Sequence, residues 1–402
     1  MSQQRSLEGI VVLDMSTAIT GPYSALLLGC LGAEVIKLEG PAGDNSRATA
    51  FRPGTVSYLH ALNNAGKKGI TLDLKTERGR AILKELVKHV DVLVENFVAG
   101  TMEKWGLAYE VLRAINPGLI YASVTGFGRD SVYRDARAAD MTIQAMSGGM
   151  AATGLPGQPP IKAAPFVIDA ATPVYLTVGI LGALLARRET GRGQLVEVAM
   201  RDAAVCIPMN LYTIYYNTGR VPKTIGNRAP GASPSSSYRT SDGYVYIYVA
   251  GDRDFEGLLR AMGREDLIGV DRFASRRKRV ACWKELDELV ESWTASRTRE
   301  EVFDQLLQVG VPCGMVLDLE EVLNDEDLNR RGVFTEIEQP GIGTMKLTNS
   351  PIRLDGSPQP LGQAPLFGEH NEEVYIKLLG YSQEEFEGLK REGVIPTSHE
   401  RR

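Results

Sequence analysis

Cysteine and histidine are both scarce in this chain, and each scarcity removes a class of chemistry. Four cysteines, Cys30, Cys206, Cys282 and Cys313, stand far apart among 402 residues and form no CxxC pair. That argues against a zinc site or a disulfide framework and points to a reducing interior. No other metal-ligand pattern stands out. The four histidines are His60, His89, His370 and His399, and none lies in the stretch Gly126–Gly149 or near Asp169. With no GxSxG either, a Ser-His-Asp hydrolase has neither its elbow nor its base. Positive charge is also short: a formal net charge of −5 gives no electrostatic footprint for nucleic acid or an anionic membrane. The one basic run, Arg276–Arg279, reads as a solvated helix start. GxGxxG and GxxxxGK[ST] are absent, so a nicotinamide or P-loop reading is poor. The opening MSQQRSLEGIVVLD has no apolar signal core, and runs such as Val174–Ala186 are too short to span a bilayer. A soluble cytoplasmic protein is expected, with no nucleic-acid or membrane partner.

What the chain does contain is strand–helix alternation. Gly9–Asp14, Ala33–Leu38, Gly69–Leu74, Val92–Glu95 and Leu119–Val124 are short continuous apolar runs, as strands buried on both faces require. Helical stretches lie between them, after Gly21-Pro22 and over Thr76–His89. The pattern predicts an α/β fold with a doubly wound, Rossmann-like sheet. In such sheets ligands sit where strands end and helices begin, which places Thr20-Gly21-Pro22, Glu39-Gly40, Lys75, Asn96-Phe97 and Gly126-Phe127-Gly128 at the candidate edge. The length favours more than one core. Residues 1–220 read as the large domain. A Gly/Pro/Ser-rich boundary at Val221–Arg239 opens a small α+β domain over 221–330, and 331–402 reads as an extended arm with helices returning to the large domain. Within that arm Gln339–Phe367, fully extended, would reach about 90 Å, along its own first domain or a partner subunit.

A lone acid, Asp169, stands before the long apolar stretch VYLTVGILGALLARRE. Aspartate is a favoured N-cap. Thr172-Pro173 is itself a helix start signal, which would leave Asp169 in the preceding turn, whereas a helix beginning at Ala170 would make Asp169 the cap. In both readings the carboxylate stays ionised beside a helix N-terminus, as a carboxylate nucleophile requires. On the residues alone, cap and nucleophile both stay open.

Taken in order, "DMSTAITGP", "LGAEVIKLEGPAGDNSR", "NNAGKKGITLDLK", "DVLVENFVAGTMEKWGL", "NPGLIYASVTGFG", "QAMSGGMAATG", "VIDAATPVYLTVGILGALLARRETGRGQLVEVAMRDA" and "APLFGEHNEEV" resemble the class III coenzyme A transferases over nearly the whole chain. The resemblance implies that Asp169 is the nucleophile, acting through aspartyl-acyl anhydride and aspartyl-CoA thioester intermediates, with an acyl-CoA and a free carboxylic acid as substrates. CoA would then be a substrate, and no permanently bound cofactor is implied. CoA contacts carry over to Ile19, Thr20, Leu72, Lys75, Asn96, Phe97, Lys104 and Arg137, and Asp140 stands where an acidic residue assists in some members. Two positions depart from the pattern. Gly40 replaces an arginine that would hold the nucleotide, with Arg47 as the candidate substitute, and Ile19 replaces a glutamine of formyl-CoA transferase. The glycine-containing stretch Gly226–Gly231 is a candidate lid. The resemblance further implies ring-shaped subunits interlocked as a homodimer, with a heteromer of related subunits as the alternative. An α-methylacyl-CoA racemase would need a histidine opposite the aspartate, and "GFGRDSVYRDARAADMTIQ" has none. A silent CoA-binding subunit would have no need of Asp169.

Overall fold

A computed structural model describes residues 5–49, 56–354 and 361–398. The chain forms two compact units, one of residues 1–149, 163–209 and 326–402, the other of 150–162 and 210–325. The second unit thus starts earlier than the Gly/Pro-rich stretch at Val221 and takes in a separate piece of chain, 150–162.

The first unit is built on β1 (Val11–Asp14), β2 (Glu34–Glu39), β3 (Lys68–Thr71), β4 (Val92–Glu95), β5 (Ile120–Thr125) and β6 (Leu195–Ala199). They lie in the order β3-β2-β1-β4-β5-β6, and every neighbouring pair is parallel. The sixth strand, whose burial alternates, was not among the five runs expected. Alternation along each strand sorts the core into two layers. Leu13, Ile36, Ile70, Leu93 and Tyr121 face one layer, completed by Ile82, Leu83 and Leu86 of the helix Glu77–Leu86 and by Tyr375 and Phe386. Val12, Val35, Val94, Ile120 and Ala122 face the other, packed on Ala25 and Leu28 of the helix Thr20–Cys30 and on Leu176 and Ile180 of the helix Val167–Thr190. That last helix has 24 residues and a mean hydropathy of 1.7 over its most apolar stretch. It is long enough to cross a bilayer, contrary to the shorter apolar run expected, and here it serves as a core helix: Ser24 Oγ and Thr177 Oγ1 meet at 3.0 Å between the two helices.

The second unit contains β7 (Ser235–Arg239), β8 (Tyr244–Tyr248) and β9 (Cys313–Met315), an antiparallel sheet. Its helices close a core of Tyr238, Val245, Ile247, Phe255, Leu258 and Leu286. The basic run does open a helix, Arg276–Ala281, with Arg276, Arg277 and Lys278 exposed, and only its last residue departs from a solvated face. Arg279 is buried, bonds Asp252 at 2.7 Å and lies over the Phe255 ring. The Gly226–Gly231 loop is tied down by Gly226 N–H to the Gly154 carbonyl (2.9 Å), by Asn227 to Ser237 (2.7 Å) and by Arg276 to the Gly231 carbonyl.

Back in the first unit, β10 (Phe334–Gln339) and β11 (Gly343–Thr348) form an antiparallel hairpin. The arm is therefore not extended from Gln339 onward, and residues 355–360 of it lie outside the described ones. Beneath the strand ends sits a buried charge network. Asp14 bonds Lys67 at 2.7 Å, Lys37 bonds Asp44 at 2.8 Å and lies 3.8 Å from Asp14, and Arg47 bonds Glu39 through both Nε and Nη2. Burial alone would push the Asp14 carboxyl up, but Lys37 and Lys67 outweigh it and hold it below its ordinary value. Removing one buried partner strands the other. Lys37→Met is expected to lower unfolding free energy by about 3–5 kcal/mol, read from urea unfolding; a loss below 1 kcal/mol would show the network to be dispensable.

Candidate active site

The helix carrying Asp169 begins at Val167, earlier than either start expected from sequence, with Asp169 in its first turn. Asp169 is therefore not the cap. A helix N-terminus leaves its first N–H groups without intrahelical partners, and here those of Val167, Ile168 and Asp169 are all taken. Val167 donates to the Pro165 carbonyl (2.9 Å), Ile168 and Asp169 donate to Asp140 Oδ2 (2.7 and 3.0 Å), and Ala170 donates to the Phe166 carbonyl (2.9 Å). The capping carboxylate thus comes from Asp140, buried at the start of the helix Asp140–Ala145. Gln144, one turn later, donates to Asp140 Oδ1 and accepts from the Ala163 N–H at 2.9 Å. Its i, i+4 spacing to Asp140 was the one sequence signal for this contact. Pro173, inside the helix, has no N–H for the carbonyl four residues back, which is that of Asp169.

These contacts reverse the electrostatics expected of Asp169. The helix end is directed at Asp140, and among the described residues no group donates to the Asp169 carboxylate. Half-buried and next to the Asp140 carboxylate, Asp169 is pushed up to about 6, burial being the larger cause and Asp140 the second. It still ionises by neutral pH, but as a poorly solvated, unshared anion, which is what a carboxylate nucleophile needs.

A second feature lies at the carboxyl ends of β1–β4, where the strand order reverses direction. Met15–Thr17 follow β1, Gly40 and Pro41 follow β2, Leu72–Lys75 follow β3 and Phe97 follows β4; with Trp105 they line a cleft of about 110 Å³. Phe97 and Trp105 meet edge to face at 5.3 Å. Met15, Leu38, Pro41, Leu72 and Leu74 supply apolar walls, and exposed Lys75 lies at the rim. An apolar slot with an aromatic wall and a cation at its edge suits a planar ring bearing an anionic group.

Of the residues singled out from sequence, Leu72, Lys75 and Phe97 line this cleft. Asn96 does not; its amide accepts from the Thr17 N–H and donates to the Thr17 carbonyl, both at 2.8 Å, and reaches Thr20 Oγ1 at 3.2 Å. It holds the β1–helix turn that carries half-buried Ile19 and buried Thr20. Arg47 is not an open anchor in place of the missing arginine, because its guanidinium is committed to Glu39 and the Pro365 carbonyl. Lys104 and Arg137 are exposed, Lys104 next to Trp105 at the end of the short helix Thr101–Lys104. Sequence reading missed Trp105, Gln144 and the charge network under the cleft.

A six-stranded parallel sheet with a cleft at its reversal point defines a doubly wound α/β protein. The chain belongs to CoA-transferase family III, whose family model matches residues 7–371. It is 36% identical to the formyl-CoA:oxalate CoA-transferase of Streptomyces avermitilis, over 97% of this chain and all of that one. It is 34% identical to the succinyl-CoA–D-citramalate CoA-transferase of Chloroflexus aurantiacus, over 98% of this chain and all of that one. A solved CAIB/BAIF family protein from Brucella suis superposes with a TM-score of 0.83 at 34% identity, over 94% of this chain and all of that one. The chain is thus a CoA-transferase, acting on CoA thioesters as substrates.

The raised Asp169 has a stability consequence with a definite sign. Folded, it holds its proton more tightly than unfolded, so its ionisation lowers stability as pH rises from about 4 to about 6. Asp169→Asn should therefore stabilise the protein at pH 7 by about 1–2 kcal/mol, allowing for screening of a half-buried group. The gain should vanish near pH 4 in parallel thermal melts. A gain equal at both pH values would mean that charge is not its cause.

Proposed function

We propose that Asp169 carries CoA between two carboxylic acids by covalent catalysis. The observation behind this reading is its unshared carboxylate, desolvated and set beside Asp140. An Asp169 oxygen attacks the thioester carbon and the C–S bond breaks, giving an aspartyl-acyl anhydride and CoA thiolate. The thiolate attacks the aspartyl carbonyl, releasing the donor carboxylate and leaving an aspartyl-CoA thioester. The acceptor carboxylate displaces the thiolate to form a second anhydride, and the thiolate returns to the acceptor's acyl carbon, freeing Asp169. Each step exchanges one activated carboxyl for another, so the thioester energy is conserved. Because the first N–H groups of the helix are already occupied, donors for the tetrahedral oxyanions come from other backbone or side chains. Asp140 acts as a positioning residue: it fixes the helix start and keeps Asp169 poorly stabilised.

The cleft at the ends of β1–β4 is our site for the nucleotide end of CoA, with the ring against Phe97 and phosphates toward Lys75, Lys104 and Arg137. Succinyl-CoA is the first donor to test, since the Chloroflexus relative uses it by name. We read the partner as a second copy of the chain, interlocked as a ring-shaped dimer. In support, the long helix leaves Val174, Tyr175, Val178 and Leu185 exposed along one face, an apolar stripe that a partner would cover.

The test is peptide mass spectrometry after incubation with a panel of acyl-CoAs, with hydroxylamine or borohydride trapping. A donor-dependent mass on the Asp169 peptide, absent in Asp169→Ala, is expected. No labelling together with deuterium exchange at an α-carbon would replace transfer with racemisation. The cleft has a separate test. A Cβ built at Gly40 meets no heavy atom within 4 Å, so the backbone there accepts a side chain, and Gly40→Arg should lower the Kd for CoA about tenfold, the worth of one charge-assisted hydrogen bond. Unchanged affinity would move the phosphates elsewhere.

A further inference from the structure

β3 is the edge strand of the parallel sheet, so alternate residues on its outer side present N–H and C=O groups with no neighbouring strand. These groups are met instead by a segment about 300 residues later. Gly69 donates to His370 Nδ1 (3.1 Å) and its carbonyl accepts from the His370 N–H (2.8 Å). Two residues on, every polar group of Thr71 is satisfied. Its N–H donates to Asn371 Oδ1 (2.9 Å), its carbonyl accepts from the Tyr375 hydroxyl (2.7 Å), and its Oγ1 accepts from Asn371 Nδ2 (2.9 Å) while donating to the Pro396 carbonyl (2.7 Å). Two residues further, the Asp73 N–H donates to the Val394 carbonyl (2.9 Å). The C-terminal segment thus follows the period-two pattern of a strand, largely with side chains.

Close approach makes this geometry possible. A Cβ at Gly69 would lie 2.8 Å from Pro365 Cβ. Gly368 turns at φ +70°, and a Cβ there would lie 2.7 Å from Asn371 Nδ2. Asn371 and Tyr375 are both buried. Position 371 needs one acceptor and one donor on a single planar group, which an amide supplies and a carboxylate does not.

The clasped residues run directly into the cleft, because Leu72, Asp73, Leu74 and Lys75 form its wall after β3. We propose that Asn371 and Tyr375 are positioning residues for CoA binding: they hold the end of β3 at the register that places Leu72–Lys75 along the cleft. This rests on the reading of that cleft as the CoA site. Neither residue lines the cleft, so the effect falls on affinity and not on the covalent step.

The experiment uses Asn371→Ala and Tyr375→Phe, with Tyr381→Phe as control. Tyr381 lies on the same C-terminal segment but bonds Glu85, away from β3. In hydrogen exchange, the amides of residues 71–75 should exchange about tenfold faster in the two clasp variants and unchanged in the control, as for loss of one buried hydrogen bond. The Kd for CoA should rise about tenfold in both clasp variants, while the labelling rate of Asp169 at saturating thioester stays at the wild-type value. Tyr381→Phe should lower Tm without changing Kd. Clasp variants that lose Tm yet keep the wild-type Kd overturn the proposal, as does unchanged exchange at residues 71–75. A wild-type chain that fails to bind CoA overturns the reading of the cleft itself, and that result is seen before any variant is made.

Discussion

Three carboxylates and three cations, buried together under the ends of β1 and β2, hold the walls of the cleft in place. Asp14, Asp44 and Glu39 are matched by Lys37, Lys67 and Arg47, so the group is neutral in sum although each member would be costly alone. Its bonds reach outward from the sheet. Asp44 Oδ1 accepts from the N–H groups of Ala18 (3.0 Å) and Ser46 (2.8 Å), and Asn63 donates to the Ala18 carbonyl at 3.0 Å. Ala18 is thereby kept at φ +65°, a conformation that a residue with a Cβ adopts only when its surroundings impose it. The turn after β1 and the loop after β2 are both fixed by the same ions, and both border the cleft. Hydrophobic packing builds the two layers of the sheet. The ion network decides what shape is left at its edge.

The site around Asp169 uses charge in the opposite sense. Where the network pairs every ion, the start of the long helix places two acids side by side and gives the helix N–H groups to only one of them. Asp140 receives the stabilisation and Asp169 is left with burial and repulsion. Proteins commonly carry such locally unfavourable arrangements where reactivity requires them. Gln144 completes the device, since its bond to Asp140 Oδ1 leaves the second oxygen aimed at the helix start.

Much of this was legible in the residues. Continuous apolar runs such as VVLD and VLVE identify strands buried on both faces, and their alternation with helical stretches identifies the doubly wound sheet. Leu195–Ala199 escaped because the residues of an edge strand are only partly buried and carry a weaker apolar signal. Gln339–Thr348 was read as extended because a hairpin with one exposed face has the same polar, Gly-containing composition as a loop. The start of the Asp169 helix was misplaced because its cap is not local: the usual cap signals lie within a few residues, whereas Asp140 acts from 29 positions away.

Local order, strand identity and the presence of a lone acid ahead of an apolar helix are determined by the sequence itself, because they depend on side-chain periodicity and backbone preference over a few neighbours. Tertiary structure alone decided that Arg47 is spent on Glu39, that Asn96 clamps a turn and does not face the cleft, and that Asn371 and Tyr375 complete an edge strand 300 residues earlier. The protonation state of Asp169 belongs to the same group. Each depends on which charges and hydrogen-bond partners the folded chain brings within a few ångströms and removes from water, and Coulomb and desolvation energies change steeply over that distance.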